Sequence, residues 1–284
     1  AFKLIFNQVE RFHTNAKFLS NYNKFWVLQN TDPVISTLRN INRKKNAKSI
    51  STFDFSTLYT KLPHDKLITQ LSKVIDLVYK GGDKKFIHVN NFGKTYWSKT
   101  KKDVSFSKAT LKIAISHLIE NCFFTVGDLV FKQAIGIPMG IDPAPFWANL
   151  FLYTYEEAYI SSLITTDPVK ARHFHATKRF IDDLCAINDG NEFGKVYKDI
   201  YPAELELKLE HAASILLLRI TCLSTNCMIN AMTFRSVLCV CHRLAATSRN
   251  LYSTLPSLAS FYASHVRHSD SQTLYQKPKN SSIV

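Results

Sequence analysis

Apolar residues recur along this chain at two periods, and the alternation between them predicts its elements. Ser49 to Phe55 (SISTFDF) has the β-branched and aromatic residues of a short strand, with Asp54 near its end. Pro63 closes the loop beyond it. Leu67, Ile68, Leu71, Val74, Ile75 and Val78 then fall at helical spacing until Gly81 and Gly82 stop the run. Phe86 to Trp97 predicts a hairpin turning near Asn91 to Gly93, and Ser107 predicts the cap of a helix whose apolar face is Leu111, Ala114, Ile115, Leu118 and Ile119. Phe123 to Gln133 reads as two short strands about a Gly127-Asp128 turn. A long apolar helix follows from about Pro145 to Leu163. Arg179 to Asn188 (RFIDDLCAIN) reads as strand, tight turn, strand, with Asp182 and Asp183 in the turn. A helix near Glu192 to Tyr201 and a strand from Glu206 to Glu210 complete the pattern. Residues 1 to 48 are mixed aromatic and basic, and their closing cluster, Arg43, Lys44, Lys45 and Lys48, reads as a solvated loop.

Alternating helices and hairpins imply an α+β fold, an antiparallel sheet covered by helices on one face. Composition adds a partner. Of 284 residues, 46% are hydrophobic and 20% charged, which suits a core and excludes wholesale disorder. The 36 Lys and Arg outnumber 22 acids for a net charge of +14, an excess that favours nucleic acid before membrane, since neutralised phosphates release counterions. Six cysteines at irregular spacing form no disulfide framework, and neither a signal peptide nor an apolar run near the roughly 20 residues of a membrane span is visible. An intracellular setting, nuclear or cytoplasmic, is the expectation. The chain opens at Ala1 inside a continuing pattern and reads as a fragment.

Like charges as close as Asp182 and Asp183 raise each other's pKa unless a cation lies between them, so such a pair suits a divalent metal. A solvated acidic turn is the plainer alternative. Asp54 changes the balance: the end of its strand and the tip of the hairpin can be neighbours in one antiparallel sheet. Three carboxylates would then serve two Mg²⁺ ions roughly 3.5–4 Å apart, the arrangement for in-line nucleotidyl transfer. Tyr59, five residues on in FDFSTLYTKLPH, offers a ring able to lie under a sugar and exclude a 2′-hydroxyl, or a core residue. From Gln133 to Gly140, Gly136, Gly140 and Pro138 give a backbone able to approach a base or sugar closely, or a structural turn.

Taken in order, FDFSTLYTKLPH, QAIGIPMGIDPAPFWANLFLYTYEE and RFIDDLCAIND resemble the three central polymerase motifs of reverse transcriptases, and most of all those of Penelope-like retroelements. The resemblance covers roughly residues 20 to 212. It implies a right-hand polymerase: partial fingers at 1–48, a palm at 49–212 with a fingers insertion at about 84–106, and the thumb position at 213–284. It implies that Asp54, Asp182 and Asp183 are the metal-binding catalytic acids, with the Phe55 backbone beside them, and that Tyr59 is the sugar gate. Gln133, Gly136, Pro138 and Gly140 match the segment near template and nucleotide. Mg²⁺, with Mn²⁺ as a substitute, is the implied cofactor, and an RNA template, a DNA primer and dNTPs are the implied partners. Phe180 stands where Tyr is commoner, and Ile141 where a small residue is usual. Arg43, Lys45, Lys48 and Lys208 are candidate contacts to nucleic acid or triphosphate, with surface lysine the plainer reading of Lys208.

Zinc is not expected: Cys222, Cys227, Cys239, Cys241 and His242 lack paired CxxC knuckles. His173 and His175 read as loop residues. A nucleic-acid-binding remnant without catalysis is the rival function. A viral RNA-dependent RNA polymerase shares the acids, but Tyr59 opposes it. After about Ala213 the family pattern stops, serines and cysteines accumulate, and Asp270 is the sole acid beyond Glu210. Reading each codon's third base into the next codon lets Ala245–Arg249 spell Ser-Asn-Ile-Pro and Ser257–Arg267 spell Ser-Ser-Glu-Phe-Leu-Arg-Ile-Ala-Arg-Thr. Both resemble Penelope-like thumb sequence, so an out-of-frame, poorly packed and inactivating terminus is the expectation, with a divergent thumb as its alternative.

Overall fold

The computed structural model describes residues 1–17, 22–30, 32–44, 48–81, 84–137 and 141–214. The expectations for the altered frame and for the cysteines beyond residue 214 lie outside the described residues.

Two helices open the chain, α1 (Phe2–Lys17) and α2 (Asp32–Arg43). This corrects the loop reading of Arg43, which closes α2, while Lys44 follows in an exposed turn. Phe2, Ile5, Phe6 and Val9 make a helical stripe whose last three members are buried, whereas among the described side chains of α2 only Val34 and Leu38 are buried, too few for a clear period. Strand β1 (Ser49–Phe55) leads through a turn into α3 (His64–Val78), which buries Leu67, Leu71, Val74, Ile75 and Val78. Strands β2 (Phe86–Val89), β3 (Thr95–Ser98) and β4 (Ser105–Ser107) form a separate antiparallel sheet in the order β3-β2-β4. The side chain of Ser107 caps α4 (Lys108–Glu120) by accepting from the Thr110 N–H. After the β5 (Phe123–Val126) and β6 (Leu129–Lys132) hairpin comes α5 (Ala144–Thr166).

Asp167 ends α5, and its carboxylate caps α6 (Pro168–His173), which runs into a 3-10 turn at Phe174–Ala176. His173 and His175 therefore sit on helical turns, not in a loop. The acidic hairpin is β7 (Lys178–Phe180) and β8 (Asp183–Ile187); α7 (Phe193–Ile200) and β9 (Leu207–Ser214) follow. The main sheet has the order β7-β8-β1-β9 with every ladder antiparallel.

Strand alternation gives this sheet two different faces. Phe53 and Leu184 are Cα partners and belong, with Phe55 and Ala186, to the core that α1, α3, α5 and α7 share. Phe53 meets Phe193 edge-on at 4.8 Å, and Phe55 meets Tyr201 at 4.8 Å. Asp54 and Asp183 alternate with those residues and so lie on the other face. A one-residue slip would turn both acids into the core, so burial of Phe53 and Leu184 fixes where the carboxylates point. Among the described residues no helix is long and apolar enough to cross a membrane.

Candidate active site

Asp54 is the Cα partner of Asp183 across the β1–β8 ladder and of Lys208 across the β1–β9 ladder. Three neighbouring strands thus line up acid, acid and base in one row. Directly opposed side chains lie about 4.5–5.5 Å apart at Cβ, and opposed like charges destabilise a sheet. Asp183 is buried and Asp54 half-buried. Asp182 occupies the two-residue turn between Phe180 and Asp183, and its carbonyl accepts from the Phe55 N–H at 3.1 Å, fastening the end of β1 to the hairpin tip.

That tip is held in an unusual shape. Ile181, the other turn residue, has φ +55°, a conformation costly for a β-branched side chain. Its carbonyl accepts from Arg179 Nη1 at 2.8 Å. Arg179 is 0% exposed and its guanidinium is fully engaged: Nε and Nη2 donate to the Glu156 carboxylate at 2.5 and 3.2 Å, Nη1 to Asn149 Oδ1 at 2.8 Å, and Nη2 to the Asn149 carbonyl at 3.1 Å. Tyr201 donates its hydroxyl to Glu156 Oε1 at 2.9 Å, and burial followed by the Glu156 charge pushes that phenol well up. Helix α5 therefore sets the shape of the acidic turn through one buried arginine.

Tyr59 lies close to this tip. Burial, then the Asp182 carboxylate, pushes its phenol up to about 12, with Arg179 opposing, so the ring stays neutral over the working range. The Tyr59 carbonyl accepts from the Ile137 N–H at 3.0 Å, and the Leu62 carbonyl accepts from the Gly136 N–H at 2.8 Å. Gly136 has φ +91°, and a Cβ there would stand 2.3 Å from the Tyr59 carbonyl oxygen. The close approach that requires glycine at 136 is thus made to the Tyr59 loop. Gln133 Nε2 donates to the Ile135 carbonyl at 3.0 Å, holding the same segment from within. Pro138, Gly140 and Lys45 lie outside the described residues. Lys48 is exposed, its N–H donating to Asn188 Oδ1 at 2.7 Å, and Arg43 donates to Asn40 Oδ1 at 2.9 Å; both sit toward the opposite end of β8 from the acids.

The donor chemistry fits magnesium. Carboxylates are hard oxygen ligands, and Mg²⁺ keeps several waters and takes one or two carboxylates plus substrate phosphates. Among the described residues no three His, Cys, Asp or Glu side chains form a ready-made metal cage. The opposed Asp54–Asp183 pair, with Asp182 next in the turn, offers oxygen donors of the kind that magnesium takes. Cys122 is half-buried and Cys185 buried.

Neither a protein-family model nor a curated protein matches the chain. Solved structures do. Apo telomerase from Candida tropicalis, a reverse transcriptase, superposes with a TM-score of 0.50 at 17% identity over 76% of this chain and 37% of its own. Telomerase from Candida albicans in complex with a fragment of telomeric RNA gives 0.51 at 9% identity over 75% of this chain and 35% of its own. The fold is reverse-transcriptase-like. This chain spans little more than a third of those telomerase chains. The reverse-transcriptase-like fold accommodates the mixed helices and antiparallel sheets described above.

Proposed function

We propose that the chain is the polymerase portion of a Penelope-like reverse transcriptase, copying an RNA template into DNA from a primer with dNTPs. One observation carries the reading: the β1–β8 register sets Asp54 opposite Asp183, on the face of the sheet turned away from Phe53 and Leu184, beside the turn that holds Asp182. The motif order and the reverse-transcriptase-like fold support it, as does a telomerase of that fold having been captured with RNA. In this reading residues 49–212 are the palm, the separate β2–β4 sheet belongs to a fingers insertion at about 84–106, residues 1–48 are partial fingers and 213–284 take the thumb position.

Asp54, Asp182 and Asp183 would hold Mg²⁺ or Mn²⁺, with the Phe55 backbone beside them. When bound, such ions activate a 3′-hydroxyl and offset charge on the leaving pyrophosphate. The protein's part is placement. Burial of Phe53 and Leu184 aims the acids, Arg179 fixes the turn, and the neutral Tyr59 ring blocks the space of a 2′-hydroxyl while Gly136 and Ile137 back the Tyr59 loop. Lys208, in register with Asp54, brings positive charge to a site that receives a triphosphate.

Primer extension on an RNA template with dNTPs tests the reading. Because the terminus as it stands is expected to be inactivating, the frame-restored chain is the reference: it extends the primer and its Asp182→Asn variant does not. Binding without any extension by wild type or by a frame-restored chain supports the remnant reading instead. Tyr59→Ala is expected to raise ribonucleotide incorporation relative to deoxynucleotide by at least about tenfold, since about 1.4 kcal/mol of lost steric exclusion is a factor of ten. Single-nucleotide incorporation kinetics measure it, and unchanged discrimination refutes the gate.

A further inference from the structure

The β5–β6 hairpin holds its apolar side chains in solvent. Phe123, Phe124, Leu129, Val130 and Phe131 are all exposed, Leu129 and Val130 to 64% and 68%, and every residue of β6 is exposed. Among the described residues β5 and β6 pair only with each other. A two-stranded ribbon is marginal by itself, and a bare apolar edge is a template for a further strand.

The ladder fixes which backbone groups face that edge. The Gln133 N–H donates to the Cys122 carbonyl at 2.9 Å, and the register pairs Phe123 with Lys132, Phe124 with Phe131 and Thr125 with Val130. Bonded and non-bonded pairs alternate in an antiparallel ladder, so Phe124 and Phe131 bond within the hairpin while Val130 and Lys132 turn their N–H and carbonyl groups outward. Gly127, at φ +59°, opens the turn, and Asp128 follows it two residues before Val130, as Lys132 stands two residues after. A second β6 laid antiparallel with Val130 opposite Val130 thus matches outward groups with outward groups and brings each Asp128 to the other copy's Lys132. Leu129 then faces Phe131 across a non-bonded pair, where side chains come closest. Among the described residues neither Asp128 nor Lys132 has an ion pair within its own chain. Strand β5 carries no charge and offers no such match.

We propose that β6 is a self-association edge, at which two copies of this chain join about a two-fold axis at Val130 into one antiparallel sheet of order β5-β6-β6-β5. A two-fold contact must be complementary to itself, and here one strand supplies both signs of charge at equal offsets from its centre. The contact is short and the net charge of +14 repels a second copy, so half-association is expected on the order of tens of micromolar. This inference goes beyond the polymerase reading and does not rest on it, because a chain without catalysis keeps the edge.

Sedimentation velocity of the full chain from about 1 to about 200 µM tests it, with the parent passing from monomer to dimer over that range. Asp128→Lys and Lys132→Asp are each expected to weaken association at least about tenfold, because the symmetry turns two attractions into two repulsions. An equal mixture of those two variants restores a dimer within about threefold of the parent, since each copy again meets opposite charges in the other. Val130→Pro removes an outward N–H, spares the hairpin's own ladder and is expected to abolish the dimer. Phe92→Ser, a side chain 90% exposed at the β2–β3 turn, is expected to leave association unchanged. A chain that stays monomeric throughout, single reversals that associate like the parent, or a mixture no tighter than either variant alone overturns the inference. So does association that Phe92→Ser removes and Val130→Pro does not. If Val130→Pro loses the circular dichroism spectrum of the parent, the mixture of charge variants decides.

Discussion

Glu156→Ala is expected to cost about 3–5 kcal/mol of folding stability, because it strands the Arg179 charge in a site with no solvent exposure. At roughly 2–4 °C per kcal/mol for a domain of this size, the melting point falls by roughly 6–20 °C. Circular dichroism on heating reads it. A triple variant, Glu156→Leu with Arg179→Met and Tyr201→Phe, removes the charge, its partner and the hydroxyl that would lose its acceptor. Replacing a buried ion pair by apolar residues of similar volume is often neutral, so most of the melting point should return. Activity should not return. The Ile181 carbonyl loses its donor, and the turn at φ +55° is free to relax and move Asp182. A triple variant in the frame-restored chain that extends primers like its parent would show that the network serves stability alone.

Asp54→Asn has the opposite profile. Metal-assisted transfer draws several kcal/mol from charge stabilisation, and each 1.36 kcal/mol is tenfold, so extension should fall on the order of 10³-fold. Stability should hold within about 1 kcal/mol, because losing repulsion from Asp183 offsets losing attraction from Lys208, each a cross-strand pair of modest size. Melting curves and extension rates on one preparation decide it. A large fall in melting point would make Asp54 a structural acid.

The sheet and the helices over it were legible because their periods are strong: α3 and α4 carry regular apolar stripes, and α5 is apolar enough to read as buried. Residues 1–48 were not, since among its described side chains α2 buries only Val34 and Leu38 and its cationic face resembles a loop. The three acids could be picked out in one dimension, yet their register follows from which of Phe53, Leu184 and their neighbours the core accepts, a tertiary matter. Lys208 read as a plain surface lysine, and only the β1–β9 ladder, with its irregularity between Thr52 and Phe53, sets it beside Asp54. Gly136 signalled a tight approach, but a lone chain cannot say to what, and the answer is the Tyr59 carbonyl.

The buried arginine also constrains how such a chain can change over generations. Asn149, Glu156 and Tyr201 lie 30 and 23 positions before Arg179 and 22 after it, and each meets the guanidinium or its carboxylate partner. Losing Glu156 or Arg179 alone leaves an unpaired buried charge, so every single step away passes through a less stable intermediate. The group is inherited as a unit or lost as one. A lineage that no longer copies RNA is released from keeping the acids but still needs a folded sheet, so its aspartates are expected to drift before Arg179 and Glu156 do.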